Sequence, residues 1–322
     1  MRAVQITTLD GPSALEVVAV DEPAARPDAV VIDVHVAGVT FPEVLQSRGE
    51  YQLKPELPFT PGSEVAGVVR SAPEGSGLSV GQRVAAFPGL GGFAEVVAVA
   101  PSMVFPLPDS VSFEAGASLP MNYLTVHFGL VRRGQLKSGE TVLVHGAAGG
   151  IGTAATQLAV ALGAKVIAVV SSPDKVETAH AAGAQDVVLV EGFKDAVKEL
   201  TGGRGVDLVV DPVGGDRVTD SLRSLGREGR LLVIGFTGGE IPQVKVNRLL
   251  LNNLSVVGVG WGAFWMGDVP FLQEQWADLL PLLEAGRLDP VLGAIFPLEE
   301  ASKALLELDE RRATGKVLLQ VR

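Results

Sequence analysis

The sequence contains no cysteine among its 322 residues. Disulfide bridges, thiolate metal sites and cysteine nucleophiles are therefore impossible, which removes several classes of enzyme. No apolar run approaches the roughly 18 residues that a membrane-spanning helix needs. The start, Met1 to Thr7, meets Asp10 and Gly11 before any apolar stretch of the kind found in a secretory signal. We therefore expect no membrane partner and a cytoplasmic location.

Basic residues are also scarce, with 26 lysines and arginines against 37 aspartates and glutamates and a net charge of -11. Affinity for nucleic acid comes largely from lysine and arginine neutralising phosphates, so we expect no nucleic-acid partner. A small anionic ligand can still be held by a local group of basic residues. Apolar residues make up 47% and charged residues 20%, close to ordinary globular usage. At roughly 150 residues per domain, the length suggests two domains.

The hydrophobic pattern changes along the chain. Up to about residue 120, short alternating runs such as Val30 to Val36 are broken by glycine and proline, which is typical of a β-rich domain. From Gly139, strand-like runs alternate with helical patterns, which predicts an α/β domain whose parallel sheet is covered on both faces. After about Trp261 the alternation stops, and a helical stretch from Val269 to Ala285 follows. We infer that this tail returns to the first domain.

A glycine-rich turn, Gly146 to Gly152, connects the run Val142 to His145 to a helical pattern. In such a turn Gly149 lets the backbone approach a pyrophosphate, Gly152 lets the helix pack closely on the strand, and the helix N-terminus offers free N–H groups. A tight turn without a ligand is the alternative, but the order of strand, turn, helix and second strand favours dinucleotide binding. The expected cofactor contacts are Gly149, Gly150, Ile151 and Gly152.

The second strand of this unit ends in hydroxyl groups rather than a carboxylate. An NAD site usually has an acidic residue here, which accepts a hydrogen bond from the ribose 2'-OH. This chain has Ser171 and Ser172, followed by Lys175, and hydroxyls plus an ammonium suit a 2'-phosphate. The sequence therefore predicts NADPH. The alternative is that the serines cap the next helix and Lys175 is solvated, and Asp174 lies between them.

With these residues, the chain resembles the medium-chain dehydrogenase/reductase superfamily, and within it the zinc-free quinone oxidoreductase branch. The segments that carry the likeness are Phe59–Gly67, Gly92–Glu95, Gly146–Gly152, Asp207–Gly215 and Arg311–Lys316. The resemblance implies an α/β fold with a GroES-like, β-rich catalytic domain and a doubly wound Rossmann domain with a parallel sheet. The GroES-like domain would comprise residues 1–122 and 262–322, and the Rossmann domain residues 123–261.

Zinc-dependent relatives have an early cysteine and a His-Glu pair where this chain has Ser63-Glu64. Without cysteine, and with only 4 scattered histidines, the chain has no sensible ligand set for a catalytic zinc, so we expect no metal. The loss of this Lewis acid makes oxidation of a simple alcohol hard. A quinone or an enone is already electrophilic and needs mainly a positioned hydride and a proton donor. The sequence therefore favours reduction of a quinone or another activated double bond.

The resemblance also implies where the substrate and cofactor lie. It points to the loop from Val39 to Tyr51 for the substrate and to Thr125 beneath the nicotinamide. Tyr51 is the candidate proton donor, with a partly packed loop aromatic as the alternative. Thr40, the second candidate catalytic residue, stands where quinone reductases of this branch often have asparagine. Further cofactor contacts are expected at Val213, Gly235, Phe236 and Val259.

Two other functions remain open on the sequence. The same fold could reduce an enoyl thioester or a short enone, or the chain could be a non-catalytic NADPH-binding protein with a structural or sensing role. For assembly, Leu254 to Gly258 has the pattern of the outermost strand of the parallel sheet. An apolar edge strand invites pairing with a symmetry mate, so we expect a homodimer.

Overall fold

The structure is a computed structural model that describes residues 1–24 and 26–322. Internal contacts divide the chain into two compact units. Unit 1 comprises Met1–Met121, Val269–Glu284 and Leu292–Arg322, and unit 2 comprises Asn122–Asp268 and Ala285–Val291. Unit 1 is therefore assembled from separate stretches of the chain. The domain limits expected at residues 122 and 262 remain a prediction.

Strands occur in both units. Among the described residues, in chain order, they are β1 (Arg2–Ile6), β2 (Leu15–Ala19), β3 (Val30–Gly38), β4 (Glu64–Ser71), β5 (Arg83–Ala86), β6 (Val96–Val99), β7 (Val104–Pro106), β8 (Thr141–His145), β9 (Lys165–Val170), β10 (Asp186–Leu189), β11 (Val206–Asp211), β12 (Leu225–Val233), β13 (Ser255–Gly258), β14 (Leu292–Pro297) and β15 (Lys316–Gln320).

The helices of unit 2 alternate with its strands, whereas those of unit 1 range from 4 to 14 residues in length. In chain order, the described α-helices are α1 (Phe41–Ser47), α2 (Phe113–Gly116), α3 (Pro120–His127), α4 (Gly150–Ala161), α5 (Val176–Ala181), α6 (Phe193–Leu200), α7 (Val218–Ser224), α8 (Asn247–Asn252), α9 (Trp261–Trp265), α10 (Phe271–Glu284) and α11 (Ala301–Asp309). A π-helical segment, Phe128–Arg133, continues α3. None of the helices that the structure describes is long and apolar enough to cross a membrane.

Unit 1 is built on a seven-stranded sheet in the order β14-β15-β3-β4-β5-β7, with β6 paired to β3. All of its pairings are antiparallel except that of β14 with β15. Along β3, Val30, Ile32 and Val34 are buried while the residues between them are half-buried. This alternation is the one that the sequence shows, because successive side chains of a strand point to opposite faces of the sheet.

Unit 2 is a six-stranded, all-parallel sheet in the order β10-β9-β8-β11-β12-β13. Counted along this unit, the order is 3-2-1-4-5-6, which is that of a doubly wound Rossmann domain. The α/β fold class expected from the sequence is therefore confirmed. Ligands of such sheets bind beyond the carboxyl ends of the strands where the order reverses, here β8 and β11. The fold thus places a binding site at the residues that follow these two strands.

A buried ion pair connects two strands of unit 1 and the chain that leaves a third. The Glu64 and Lys316 side chains are 0% and 4% exposed, and the Lys316 ammonium donates to a Glu64 carboxylate oxygen. Lys316 also donates to the Val39 carbonyl oxygen at 3.0 Å, and the Met121 amide donates to Glu64 Oε2 at 2.7 Å. Burial raises the pKa of Glu64, and Lys316 opposes that change. The pair therefore fixes the start of β4 against the start of β15 and the chain that leaves β3.

We expect Lys316→Met to lower the free energy of unfolding by about 3–5 kcal/mol, because it leaves the Glu64 carboxylate buried without a counter-charge. Adding Glu64→Gln should recover much of that loss. Lys303→Met is a matched control, because Lys303 is 65% exposed in its pair with Glu300 and such pairs contribute at most about 1 kcal/mol. Denaturant unfolding measures all of these variants. Equal losses in the single and double variants would contradict the charge argument.

Candidate functional site

The turn between β8 and α4 is packed too closely for side chains at specific positions. A Cβ atom at Gly152 would lie 2.1 Å from the Gly146 carbonyl oxygen and 2.5 Å from Ala147 Cα. Gly146 has a φ of 57°, in the left-handed region that favours glycine. At Gly149 the nearest heavy atom to a Cβ would be 3.5 Å away, so the turn's backbone is open there. The turn therefore combines tight packing at its end with an accessible backbone in its middle.

Helix α4 begins at Gly150 and runs for 12 residues, and Gly149 at its N-cap provides no side-chain hydrogen bond. The first amides of a helix have no preceding turn to bond to, and the helix dipole adds positive charge at this end. The amides of Gly150, Ile151 and Gly152 can therefore bind a pyrophosphate. This geometry fits the phosphates of a dinucleotide.

The carboxyl end of β11 lies beside this turn. Asp211 is buried, and its Oδ1 accepts hydrogen bonds from the amides of Val213 and Gly214, each at 2.9 Å. Val213 Cγ2 lies 3.2 Å from where a Cβ of Gly146 would be. Asp211 was absent from the predicted site. Its position at the end of an apolar strand is the signal that could have identified it.

The other residues of unit 2 that were predicted to contact the cofactor lie at different places. Gly235 and Phe236 follow β12, and Phe236 Cδ1 is 2.8 Å from a Cβ position at Gly214, which places them beside Val213. Val259 follows β13, and its amide donates to the Val233 carbonyl oxygen at 2.9 Å. Thr125 is buried in α3. Gly235 and Phe236 thus join the group at the strand ends, whereas Val259 follows the edge strand.

Ser171 and Ser172 follow β9, the neighbour of β8, and they precede a short 3-10 turn that contains Lys175. Ser171 is exposed, and Ser172 and Lys175 are half-buried. A hydrogen bond from Ser172, together with the nearby Lys175 charge, lowers the pKa of Asp174. Asp174 therefore competes with a 2'-phosphate for Ser172 and Lys175. This agrees with the alternative interpretation of the sequence, in which Asp174 lies between these groups.

In unit 1, Thr40 lies at the N-cap of α1 and forms a capping box with Glu43. Thr40 and Glu43 are 5% and 1% exposed. The Thr40 amide donates to Glu43 Oε2 at 2.8 Å, and the Thr40 hydroxyl donates to the same oxygen. The Ser63 amide and hydroxyl donate to Glu43 Oε1 at 2.9 and 2.6 Å. The Thr40 hydroxyl hydrogen is therefore directed at Glu43.

Tyr51, the predicted proton donor, lies in a bend after α1 and is half-buried. Burial raises its pKa, and the charge of Glu43 raises it further. Thr40 is thus hydrogen-bonded to Glu43, whereas Tyr51 is linked to Glu43 only through the effect of its charge. Glu43 was missing from the predicted site, although Thr40 and Glu43 match the Thr-x-x-Glu spacing of a capping box.

Two family models match the chain. One is described as an alcohol dehydrogenase GroES-like domain and matches residues 26–109, and the other is described as a zinc-binding dehydrogenase and matches residues 150–285. The chain is 40% identical over 301 residues to quinone oxidoreductase-like protein 2 of Bos taurus, covering 92% of this chain and 86% of that protein. The chain belongs to the quinone oxidoreductase branch of the medium-chain dehydrogenase/reductase superfamily.

Solved structures of this superfamily agree. A probable oxidoreductase from Mycobacterium abscessus is 49% identical with a TM-score of 0.92, covering 100% of this chain and 99% of that one. The quinone oxidoreductase from Thermus thermophilus, solved also in complex with NADPH, is 38% identical with a TM-score of 0.87 and full coverage of both chains. The predicted family is therefore confirmed. The chain is an oxidoreductase of a family that binds nicotinamide cofactors.

The residues present do not fit the zinc site of zinc-dependent superfamily members. Thr40, Glu43 and Ser63 are hydrogen-bonded to one another, and neither hydroxyl is a usual ligand of zinc. Among residues 1–24 and 26–322, no group of three or more His, Cys, Asp or Glu side chains could hold a metal ion. His145 is buried, with its Nε2 2.8 Å from Ser221 Oγ.

We expect Gly152→Ala to lower the free energy of unfolding by about 1–3 kcal/mol, because its methyl group overlaps the Gly146 carbonyl oxygen. NADPH affinity should fall with it, because the first turn of α4 must shift. Gly149→Ala is the matched control, since it has room for a methyl group and should retain stability while losing affinity. Denaturant unfolding and fluorescence titration with NADPH measure both properties. Wild-type stability in Gly152→Ala would show that the turn tolerates a side chain.

Proposed function

We propose that the chain is an NADPH-dependent reductase that transfers a hydride to a quinone or another activated double bond, without a metal. The observation that supports this most strongly is the turn at Gly146–Gly152, with its tight packing at Gly152 and open backbone at Gly149. NADPH would supply the hydride. Relatives named quinone oxidoreductases support the acceptor class.

The residues of unit 2 would bind and orient the cofactor. The amides at the start of α4 would hold the pyrophosphate, and Asp211 would fix the loop that carries Val213. Ser171 and Lys175 would hold the 2'-phosphate through charge-assisted hydrogen bonds. Thr125, Gly235, Phe236 and Val259 are proposed as further contacts. In this proposal, unit 2 sets the cofactor preference.

Unit 1 would supply the proton. When a hydride adds to one carbon of a conjugated acceptor, an electron pair moves to the carbonyl oxygen or the neighbouring carbon, which then takes up a proton. The Tyr51 phenol is the proposed donor, and its raised pKa keeps it protonated at neutral pH. Thr40 would contribute through Glu43, because its hydroxyl hydrogen is already donated.

The test is NADPH oxidation by the purified protein across quinones, enones and enoyl thioesters. We expect turnover with quinones or enones and none with crotonyl thioesters. Turnover with thioesters in preference to quinones would replace the proposed acceptor class. Tight NADPH binding with no oxidation by any acceptor would instead indicate a structural or sensing role.

We expect Lys175→Ala to raise the KM for NADPH about tenfold or more and to leave the KM for NADH nearly unchanged. A hydrogen bond to a charged group contributes roughly 1.5–3 kcal/mol, and each 1.4 kcal/mol is about a factor of ten. The preference for NADPH over NADH should also become smaller at high salt, because the contact of Lys175 with the 2'-phosphate is ionic and partly exposed. Lys165→Ala is the control, since Lys165 is exposed at the opposite end of β9. Equal losses for both cofactors would contradict a 2'-phosphate contact.

We also propose that the chain forms a homodimer through the edge of the parallel sheet. β13 is the outermost strand, and Val256 on it is 37% exposed. Just before it, Leu250 and Leu251 are 78% and 77% exposed, an apolar surface that a second copy would cover. Light scattering at micromolar concentration should therefore give the mass of two chains. A single-chain mass would contradict the pairing.

A further inference from the structure

The first turn of α4 offers backbone amides to a ligand but no polar side chain. Gly149 at the N-cap provides no side-chain hydrogen bond, and the next three residues are Gly150, Ile151 and Gly152. The first hydroxyl of the helix, that of Thr153, donates to the Gly149 carbonyl oxygen at 3.0 Å, so its hydrogen is already used. A side chain that donates to a ligand at this end must therefore come from another element.

Asn122, in α3, is a side chain that lies against this turn. Its Nδ2 atom is 2.5 Å from the position that a Cβ atom of Gly150 would occupy. Such an approach requires glycine, because a methyl group at residue 150 would overlap the amide. The Asn122 Oδ1 atom is 3.5 Å from the same position, so the donor side of the amide is the nearer one. Asn122 belongs to unit 2, as do the turn and α4.

The side-chain amide of Asn122 is buried without a partner. Asn122 is 5% exposed, and within residues 1–24 and 26–322 its side-chain amide makes no hydrogen bond. The next residue, Tyr123, is paired, because its hydroxyl donates to Gln157 Oε1 at 2.5 Å. Neither polar atom of the Asn122 side chain is sealed from solvent, so the amide can meet a ligand. Buried side-chain amides nearly always have partners, and a donor beside a helix N-terminus fits an anionic oxygen.

We propose that Asn122 is a cofactor-binding residue, whose side-chain N–H group donates to a pyrophosphate oxygen beside the first amides of α4. Hydrogen bonds to an ionised acceptor are stronger than those between neutral groups. The first turn of α4 carries no lysine or arginine, so neutral donors and the helix dipole hold this charge. The inference rests on the proposed function in one respect, namely that the turn holds a dinucleotide. It does not depend on hydride transfer or on the acceptor.

We expect Asn122→Ala to raise the Kd for NADPH about 10- to 100-fold, the range expected when a hydrogen bond to a charged group is lost. The Kd for NADH should rise by a similar factor, because both cofactors contain the pyrophosphate. Isothermal titration calorimetry of the full chain measures both. Thr156→Val is the matched control and should keep the wild-type Kd, since it removes a buried hydroxyl of α4 that donates to the Gly152 carbonyl oxygen at 2.9 Å. An unchanged Kd in Asn122→Ala would overturn the inference.

Asn122→Asp separates a ligand contact from packing. The variant keeps the size of the side chain and places a carboxylate near the N-terminus of α4, where a negative charge stabilises a helix. The free energy of unfolding without cofactor should therefore be retained. The Kd for NADPH should rise more than in Asn122→Ala, because the carboxylate repels the pyrophosphate. Denaturant unfolding and the same calorimetry measure the two properties. Wild-type affinity in a folded Asn122→Asp variant would contradict the proposal, because only the size of the side chain would then matter.

A ligand without nicotinamide locates the contact. The ligand 2'-phospho-ADP-ribose keeps the pyrophosphate of NADPH and lacks its nicotinamide, so Asn122→Ala should weaken the binding of both ligands by the same factor. A loss confined to NADPH would instead place the Asn122 amide at the nicotinamide and refute the pyrophosphate contact. These affinities need no turnover. If the wild type binds NADPH but reduces no acceptor, the proposed function fails, and the affinities still decide the role of Asn122.

Discussion

The close approach of the first turn of α4 to the Gly146 carbonyl oxygen is the constraint on which unit 2 depends. It holds only because Gly152 has no side chain, and it fixes the start of the helix directly beyond β8. The neighbouring strand, β11, ends in Asp211, which uses one carboxylate oxygen to fold the next loop toward the same turn. The position of the first amides of α4 at the switch of strand order thus results from packing, and the proposed cofactor binding depends on them.

Unit 1 stabilises its buried carboxylates in two different ways. Glu64 is compensated by a buried lysine, whereas Glu43 is compensated by hydroxyl and amide donors that carry no charge. A buried ion pair contributes little field beyond its immediate surroundings, because its charges offset each other. The Glu43 carboxyl group, held by amide and hydroxyl donors, has no such counter-charge among its hydrogen-bond partners. The two solutions separate a structural group from one that influences Tyr51.

Most of unit 2 could be predicted from the sequence because parallel strands buried on both faces are short, continuous apolar runs. The apolar pattern of the sequence predicts strands at Lys165 to Val170 and at Leu231 to Ile234, and the first of them is β9 without change. The predicted strand Leu231 to Ile234, in contrast, covers only the end of β12, which begins at Leu225. Arg227 and Glu228 interrupt the apolar pattern there, and the pairing of β11 with β12 shifts register over this segment. Backbone hydrogen bonds therefore extend β12 over residues whose side chains show no strand-like alternation.

The site of unit 1 was only partly predictable for a related reason. The resemblance to the family, rather than periodicity or spacing, placed Thr40 and Tyr51 on one segment of the site. The link from Glu43 to Ser63 depends on how a distant segment folds back, and no local pattern carries that information. The capping-box spacing did mark Glu43, but as a helix signal. A residue that both caps a helix and joins two distant segments is recognised only when the structure shows which groups donate to its second carboxylate oxygen.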